Sequence, residues 1–112
     1  MMDTGPFLPE FKERLLSGRK TATSRTKRLG RVGQRFTAFG ATFTFTLVEK
    51  RPLCWVAAWN YKKEGFEHPT GFKAVWGRIH RTRCYVEEDE VYYHEFKRTD
   101  TEREVASDGL DS

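Results

Sequence analysis

The most restrictive feature of the sequence is a run of alternating phenylalanine and threonine, ATFTFT, at residues 41–46. A period of two places Phe43 and Phe45 on one face of an extended strand and the threonines on the other. Leu47 continues the phase of the phenylalanines, and the preceding QRFTAFG at residues 34–40 repeats the alternation. Two such strands in succession predict an antiparallel sheet with one buried face.

Four other segments predict short helices and a closing strand. Residues 9–17, PEFKERLLS, begin with a proline that a first helical turn tolerates and end before Gly18. Residues 55–66 and 69–80 space their apolar side chains by three and four, as helices do. Residues 84–98 alternate again and predict a last strand. This order of elements favours an α+β protein with a small curled or closed antiparallel sheet and helices at one end.

Length and charge divide the chain into two parts. At 112 residues the chain is long enough for one domain. The last fourteen residues hold five acids and one base, which leaves 19 basic against 11 acidic side chains in the rest. We therefore expect one basic domain at residues 1–98 and an acidic, disordered tail at residues 99–112. A basic surface is typical of proteins that bind nucleic acid or phosphorylated metabolites, and equally of a solvated surface that maintains solubility.

The composition also indicates which classes of protein to exclude. No segment approaches the roughly 20 apolar residues of a membrane-spanning helix, and the first residues lack a secretory signal pattern. We expect a soluble, cytoplasmic protein that does not bind membranes. Cys54 and Cys84 match no metal motif and the three histidines show no ligand spacing, so neither a metal nor another cofactor is expected. Both cysteines are expected to be reduced and mostly buried, and the histidines to be surface or hydrogen-bonded structural residues.

The segment GRKTATSR, residues 18–25, follows the first predicted helix and carries the residue types of a reactive site. On a regular strand Lys20 shares one face with Ser24, whereas Thr23 shares the opposite face with Arg25. Direct contact between Lys20 and Thr23 therefore requires a bend, bulge or turn between them.

Three segments, taken in order, resemble the ASCH domain, a family of the PUA-like superfamily. They are GRKTATSR, YKKEGFEHPTGFKAVW at residues 61–76 and VYYHEFKR at residues 91–98. The first fits the family's Gly-x-Lys-x-x-Thr-x-Arg pattern, the second fits its Glu-Gly-Phe, and the three together span most of residues 7–98. The chain departs from the family at Gly33-Gln34, where the usual pair is Gly-Asp, so no role of that carboxylate is carried over.

This resemblance implies a small PUA-like antiparallel β-barrel with short helices, the ASCH fold, and two kinds of function. One is the binding of RNA. The other is enzymatic: small stand-alone members of the family look like amidohydrolases that remove the acetyl group from acetylated cytidine. The catalytic lysine, threonine and glutamate of those members fall on Lys20, Thr23 and Glu64 of this chain.

Hydrolysis of that amide needs a nucleophile, a group that takes its proton and a donor for the leaving nitrogen. Our hypothesis makes Thr23 the nucleophile, Lys20 its activator and Glu64 the acid and base. Arg25 positions Glu64 or polarises the substrate. Burial would lower the pKa of the lysine toward that of a useful base, whereas an ionised glutamate nearby would raise it. The residues expected to bind the substrate are Gly18, Thr21, Arg25, Tyr61 and Phe66.

The competing hypothesis is an RNA-binding module without turnover, and a ribonuclease of the same fold is a third interpretation. Basic side chains interleaved with aromatic ones can follow a phosphate backbone while bases stack. A ribonuclease could use Lys20 with Glu64, although no second acidic cluster supports a metal-dependent route. The partner is accordingly a modified nucleoside or RNA. The residues expected to contact nucleic acid are Lys27, Arg28, Arg31, Arg35, Arg78 and Arg81, while Trp55, Trp59 and Trp76 are expected in the core.

Overall fold

The computed structural model describes residues 5–100. Within these residues, one 3-10 turn leads into three short α-helices and four β-strands. In chain order these are the turn Pro9–Phe11, α1 (Lys12–Leu16), β1 (Ala22–Arg25), β2 (Arg35–Ala38), β3 (Ala41–Pro52), α2 (Leu53–Trp59), α3 (Pro69–Ile79) and β4 (Glu90–Arg98).

The four strands form one antiparallel sheet in the order β1-β4-β3-β2. Strand β4 is central and pairs with β1 from Ala22 opposite Glu95 to Arg25 opposite Tyr92. The sheet curls into a half-barrel, and β1 and β2 form its two edges. The predicted α+β class and antiparallel sheet are confirmed, and the sheet is curled rather than closed. The position of β1 at an edge matters because, among the strands of residues 5–100, none pairs with its other side.

A β-bulge at Thr46 changes the phase of the long strand β3. Phe45 pairs with Phe96 and Leu47 pairs with Glu95, so Thr46 is an extra residue on β3. The prediction that Leu47 shares the buried face of the phenylalanines is therefore wrong: Leu47 packs on the opposite side of the sheet, and Val48 takes its place. An inserted residue reverses which face every later side chain occupies.

Buried side chains form two hydrophobic clusters, one on each face of the sheet. The central strand contributes to both, because alternate residues of β4 point to opposite faces. Phe66 packs against both clusters at the edge of the sheet. The first cluster contains Phe7, Phe11, Leu15, Ala38, Phe39, Ala41, Phe43, Phe45 and Phe96. The second contains Ala22, Leu53, Val56, Ala57, Phe72, Trp76, Val91 and Tyr93.

Several expectations about individual residues are corrected. Cys54 and Cys84 are free thiols as expected, but both are exposed, because Cys54 lies on the outer side of α2 and Cys84 in a turn with φ of 61°. Trp59 is 77% exposed, since α2 ends at this residue and turns its side chain away from the second cluster. Within residues 5–100 the structure contains no helix long and apolar enough to cross a membrane. The predicted tail begins at Thr99, and its residues 101–112 lie outside the described part of the chain.

Candidate functional site

A cavity of about 400 Å³ opens at the free edge of β1, where the two hydrophobic clusters meet. No strand within residues 5–100 covers this edge, and residues from both faces of β1 border the cavity. Its walls are largely apolar, with a few polar groups, as in most small-molecule sites. The polar lining side chains are those of Lys20, Thr23, Ser24, Arg25, Glu64 and His80, and the aromatic ones are those of Phe7, Phe11, Phe66, Phe72 and Trp76.

The polar centre of the cavity is a buried ion pair between Lys20 and Glu64. Their side chains are only 3% and 4% exposed, and Lys20 Nζ lies 3.4 Å from Glu64 Oε1. The ammonium also donates to the backbone oxygens of Ala22 and Glu64, each at 2.9 Å. Three acceptors around one Nζ satisfy all three N–H groups of a protonated lysine. The structure thus brings Lys20 and Glu64, two residues of the predicted site, into direct contact.

The chain brings Glu64 to Lys20 through a turn that follows α2. The Glu64 N–H donates to the carbonyl of Asn60 at 3.0 Å, and the Lys63 carbonyl accepts the N–H groups of Thr21 at 2.7 Å and Ala22 at 2.9 Å. These bonds fix the turn to the start of β1. Glu64 is thus not at a helix C-terminus, because α2 already ends at Trp59.

Gly65 allows the close approach of this turn to Lys20. Its φ is +99°, which is a left-handed conformation, and a Cβ at this position would lie 3.1 Å from the Cβ of Lys20. Both the backbone conformation and the contact therefore favour glycine. Gly65 therefore favours the turn that buries Glu64 beside Lys20.

The surroundings of Lys20 determine its chemistry. Burial lowers the pKa of Lys20, and the charge and hydrogen bond of Glu64 oppose that effect. The ring of Phe11 lies 4.9 Å from Nζ, which adds a cation–π contact to the same ammonium. An ammonium with three acceptors has no lone pair, so this arrangement suits a charged lysine that holds a carboxylate in place.

Ser24 contacts Glu64 from the same side of β1, a contact that the sequence analysis did not single out. Its Oγ donates to Glu64 Oε2 at 2.7 Å, and the residue is 8% exposed. Glu64 therefore accepts a hydrogen bond from Lys20 on one carboxylate oxygen and from Ser24 on the other. The strand alternation of GRKTATSR was the available signal, because it places Lys20 and Ser24 on one face.

Thr23 and Arg25 occupy the opposite face of β1. The Arg25 Nε–H donates to Thr23 Oγ1 at 3.3 Å, and its Nη2 donates to the carbonyl of Pro6. Burial lowers the pKa of Arg25, and Glu64 raises it through space, but an arginine remains charged in proteins. Within residues 5–100, Arg25 makes no ion pair with Glu64 and Thr23 no hydrogen bond with Lys20. Both nevertheless line the cavity.

Two histidines support the site in different ways. His94 is fully buried and accepts the N–H of Leu29 on Nε2 at 2.9 Å, which leaves Nδ1 to donate to the Thr23 carbonyl at 3.2 Å. It therefore ties β1 to the loop that follows it, as a hydrogen-bonded structural histidine. His80 stacks on Trp76 with ring centroids 4.0 Å apart, and both rings line the cavity. Burial lowers the pKa of His80, with a smaller effect from Arg25.

The remaining predicted substrate-binding residues separate into two groups. Phe66 and Arg25 both line the cavity. Gly18 lies in an exposed turn, and Tyr61 packs on the second cluster, so neither is among the lining residues. Thr21 is also outside the lining and serves the fold through its backbone, which bonds Lys63 and Phe96.

The predicted nucleic-acid contacts are all exposed, and most lie outside the cavity region. Three of them lie on the loop between β1 and β2, namely Lys27, Arg28 and Arg31, and Arg35 is the first residue of β2. Arg78 forms a short ion pair with Glu10, and Arg81 lies in the turn after α3. Residues 5–100 contain no group of three His, Cys, Asp or Glu side chains that could hold a metal ion.

Comparisons with known proteins bear on the fold. No protein-family model matches the sequence, and no curated protein is similar to it. The structure is similar to that of a protein from Enterococcus faecalis V583 described under the family DUF984, with a TM-score of 0.59 and 18% identity over 80% of this chain and 69% of the other. It is also similar to an ASCH domain from Lactobacillus crispatus JV V101, with a TM-score of 0.53 and 18% identity over 77% and 68% of the two chains. The chain therefore has an ASCH-like fold, as the sequence resemblance predicted.

Proposed function

We propose that this protein is an amidohydrolase that removes the acetyl group from acetylated cytidine, with its reaction centre at the edge of β1. The observation that carries this proposal is the buried carboxylate of Glu64, which meets a lysine and a hydroxyl group at the wall of a cavity. Burying charged groups costs free energy, so a fold seldom keeps them for stability alone. Buried ionisable groups of this kind therefore cluster at functional sites.

The arrangement supplies the groups that amide hydrolysis needs. Glu64 takes the proton of the attacking hydroxyl and returns it to the nitrogen that leaves, which is the exocyclic amine of cytidine. Lys20 keeps the Glu64 carboxylate in one position. Arg25 and Thr23 line the same cavity and bind the polar edge of the substrate.

The cavity also suits a nucleoside in size and composition. Its volume of about 400 Å³ lies in the range of small-molecule sites, which runs from roughly 300 to 1,000 Å³. Aromatic rings, among them the stacked Trp76 and His80, provide flat surfaces for a planar base. We therefore favour a free nucleoside as the substrate.

RNA binding is the second candidate, and it is favoured by the exposed cations on the loop after β1. Arg28 and Lys50 flank the ring of Tyr92 at 6.0 Å and 5.8 Å, a pattern that could hold phosphates beside a stacked base. Such binding should weaken steeply as salt increases, whereas recognition of an uncharged nucleoside should depend little on salt. A ribonuclease would add cleavage of the bound RNA at Lys20 and Glu64.

Incubation with acetylated cytidine tests the proposal, with cytidine and acetate followed by chromatography. We expect turnover by the unmodified protein and its loss in Lys20→Ala and Glu64→Ala. The matched controls are Lys62→Ala and Glu67→Ala, which remove exposed charges near the same turn and should leave turnover unchanged. Circular dichroism establishes that each variant is folded.

Two results would contradict the hydrolase. The first is the absence of turnover by the unmodified protein, and the second is turnover that survives in folded Glu64→Ala. In either case the salt dependence of binding to a single-stranded RNA is the next measurement, because a steep decrease would support the binding module.

A further inference from the structure

The site contains two candidate hydroxyl groups, and their hydrogen bonds differ. Ser24 Oγ donates to Glu64 Oε2 at 2.7 Å, a short bond to a carboxylate. Thr23 Oγ1 instead accepts from Arg25 Nε at 3.3 Å. A weak alcohol becomes a useful nucleophile when a base beside it takes its proton. Ser24 has such a base, whereas the neighbour of Thr23 is a cation.

The rest of the site orients Glu64 toward Ser24. Lys20 lies on Oε1 and Ser24 on Oε2, so the oxygen that faces the hydroxyl is not the one nearest the ammonium. Among the lining residues in the described part of the chain, Glu64 is the single carboxylate. Ser24 is also a lining residue, so it borders the space that a substrate would occupy.

We propose that Ser24 is the nucleophile of this site and that it forms a covalent acyl-enzyme with the acyl group of the substrate. The inference rests on the proposed amide hydrolysis for its substrate, but the hydroxyl, the base and the cavity are independent of which acyl compound enters. It assigns to the serine of GRKTATSR the role that the sequence hypothesis gave to Thr23.

The proposed steps conserve atoms and electrons. The Ser24 Oγ–H proton moves to Glu64 Oε2 as Oγ bonds to the acyl carbon. The carbon–nitrogen bond then breaks, and the proton passes from Glu64 to the leaving amine. In the second half, a water gives a proton to Glu64 and its oxygen bonds to the acyl carbon. The bond from that carbon to Oγ breaks, Ser24 recovers the proton, and the carboxylic acid leaves.

The test is covalent labelling with diisopropyl fluorophosphate, followed by mass spectrometry of the intact protein and its peptides. In this reaction the serine oxygen bonds to phosphorus, its proton moves to Glu64, and the phosphorus–fluorine bond breaks so that fluoride leaves. We expect one label per chain, located on Ser24 and absent in Ser24→Ala. Glu64→Gln should slow the labelling by about 100-fold, because it removes the base and keeps the shape of the side chain.

A matched control comes from Ser17, which is exposed and lies 3.4 Å from the carboxylate of Glu13. Ser17→Ala should label at the same rate as the unmodified protein. Because the label is read on the unmodified protein, the result does not depend on whether a variant folds. A label on Thr23, or none on Ser24 at a reagent concentration that fully labels a serine protease, would overturn the proposal.

The two proposals fail in distinguishable ways. Labelling of Ser24 without turnover of acetylated cytidine would contradict the substrate and leave the nucleophile established. Turnover of acetylated cytidine that persists in Ser24→Ala would support the hydrolase and overturn the role of Ser24.

Discussion

The two faces of β1 carry different chemistry, although their residues alternate along the same four-residue strand. On one face Lys20, just before the strand, and Ser24 both bond Glu64, so that buried charge and hydroxyl are paired. On the other face Thr23 accepts from Arg25, whose remaining N–H groups are free of any carboxylate in residues 5–100. The difference teaches that an edge strand can hold a paired carboxylate on one face and an arginine without a carboxylate partner on the other while both faces border one cavity.

The largest expected effect on stability is that of Lys20→Met. Loss of the ammonium leaves Glu64 as an unpaired buried charge, which should lower the free energy of unfolding by about 3–5 kcal/mol. Arg25→Met on the other face should cost about 1–2 kcal/mol, because it removes hydrogen bonds and no ion pair. Urea denaturation measures both variants.

The double variant Lys20→Met/Glu64→Met sharpens this comparison. Removing both charges should restore much of the lost stability, since two apolar side chains can replace a buried ion pair. Equal costs for Lys20→Met and Arg25→Met would contradict the distinction between the two faces.

His94 should produce the next largest effect. His94→Gln breaks the bonds to Leu29 and Thr23 and should cost about 2 kcal/mol, whereas exposed His68→Gln should be neutral. Burial lowers the pKa of His94, with a smaller contribution from Arg25. Below about pH 6.5 the unfolded chain binds more protons at His94 than the folded chain does. The contribution of His94 to stability is therefore fully present above that pH, and it is lost as the pH falls through the pKa of His94 in the folded protein.

The pH dependence of unfolding by urea checks this assignment. The slope below about pH 6.5 should be smaller in His94→Gln than in the unmodified protein. His80→Gln serves as a comparison, since burial lowers its pKa in the same direction. An unchanged slope in His94→Gln would show that other groups cause the acid sensitivity.

Two glycines with similar backbone conformations should differ by a smaller amount in the stability cost of an alanine substitution. Gly65 and Gly18 have φ of +99° and +85°, yet only at Gly65 would a Cβ approach Lys20. Gly18→Ala should cost about 1 kcal/mol for its conformation, and Gly65→Ala should cost about 1 kcal/mol more. Thermal unfolding measures the difference, and equal costs would argue against close packing of the turn on Lys20.

Much of this organisation could be predicted from the sequence because it depends on local patterns. Alternation in β3 and the spacing of apolar residues in α3 predict the elements directly. The resemblance of GRKTATSR and of the Glu-Gly-Phe segment to one family predicts that Lys20 and Glu64 share a site. These residues contact each other in the structure, and Phe66 lines the cavity beside them.

The remaining features depend on contacts between distant residues. Ser24 and Glu64 are 40 positions apart, so the local sequence does not reveal their bond, although alternation along β1 places Ser24 with Lys20. The bulge at Thr46 arises from pairing between β3 and β4 and carries no turn residue that would mark it. The stacking of His80 on Trp76 at the cavity likewise follows from packing at the end of α3.

The most direct measurement compares kcat and KM for acetylated cytidine in Ser24→Ala and Thr23→Val, two small changes on opposite faces of β1. If Glu64 acts on Ser24, Ser24→Ala should lower kcat by about 10³. Thr23→Val should mainly raise KM, because its hydroxyl lies with Arg25 on the face proposed to bind the substrate. The reverse result, with kcat lost in Thr23→Val and retained in Ser24→Ala, would contradict the assignment of the reaction to the face of Lys20, Ser24 and Glu64.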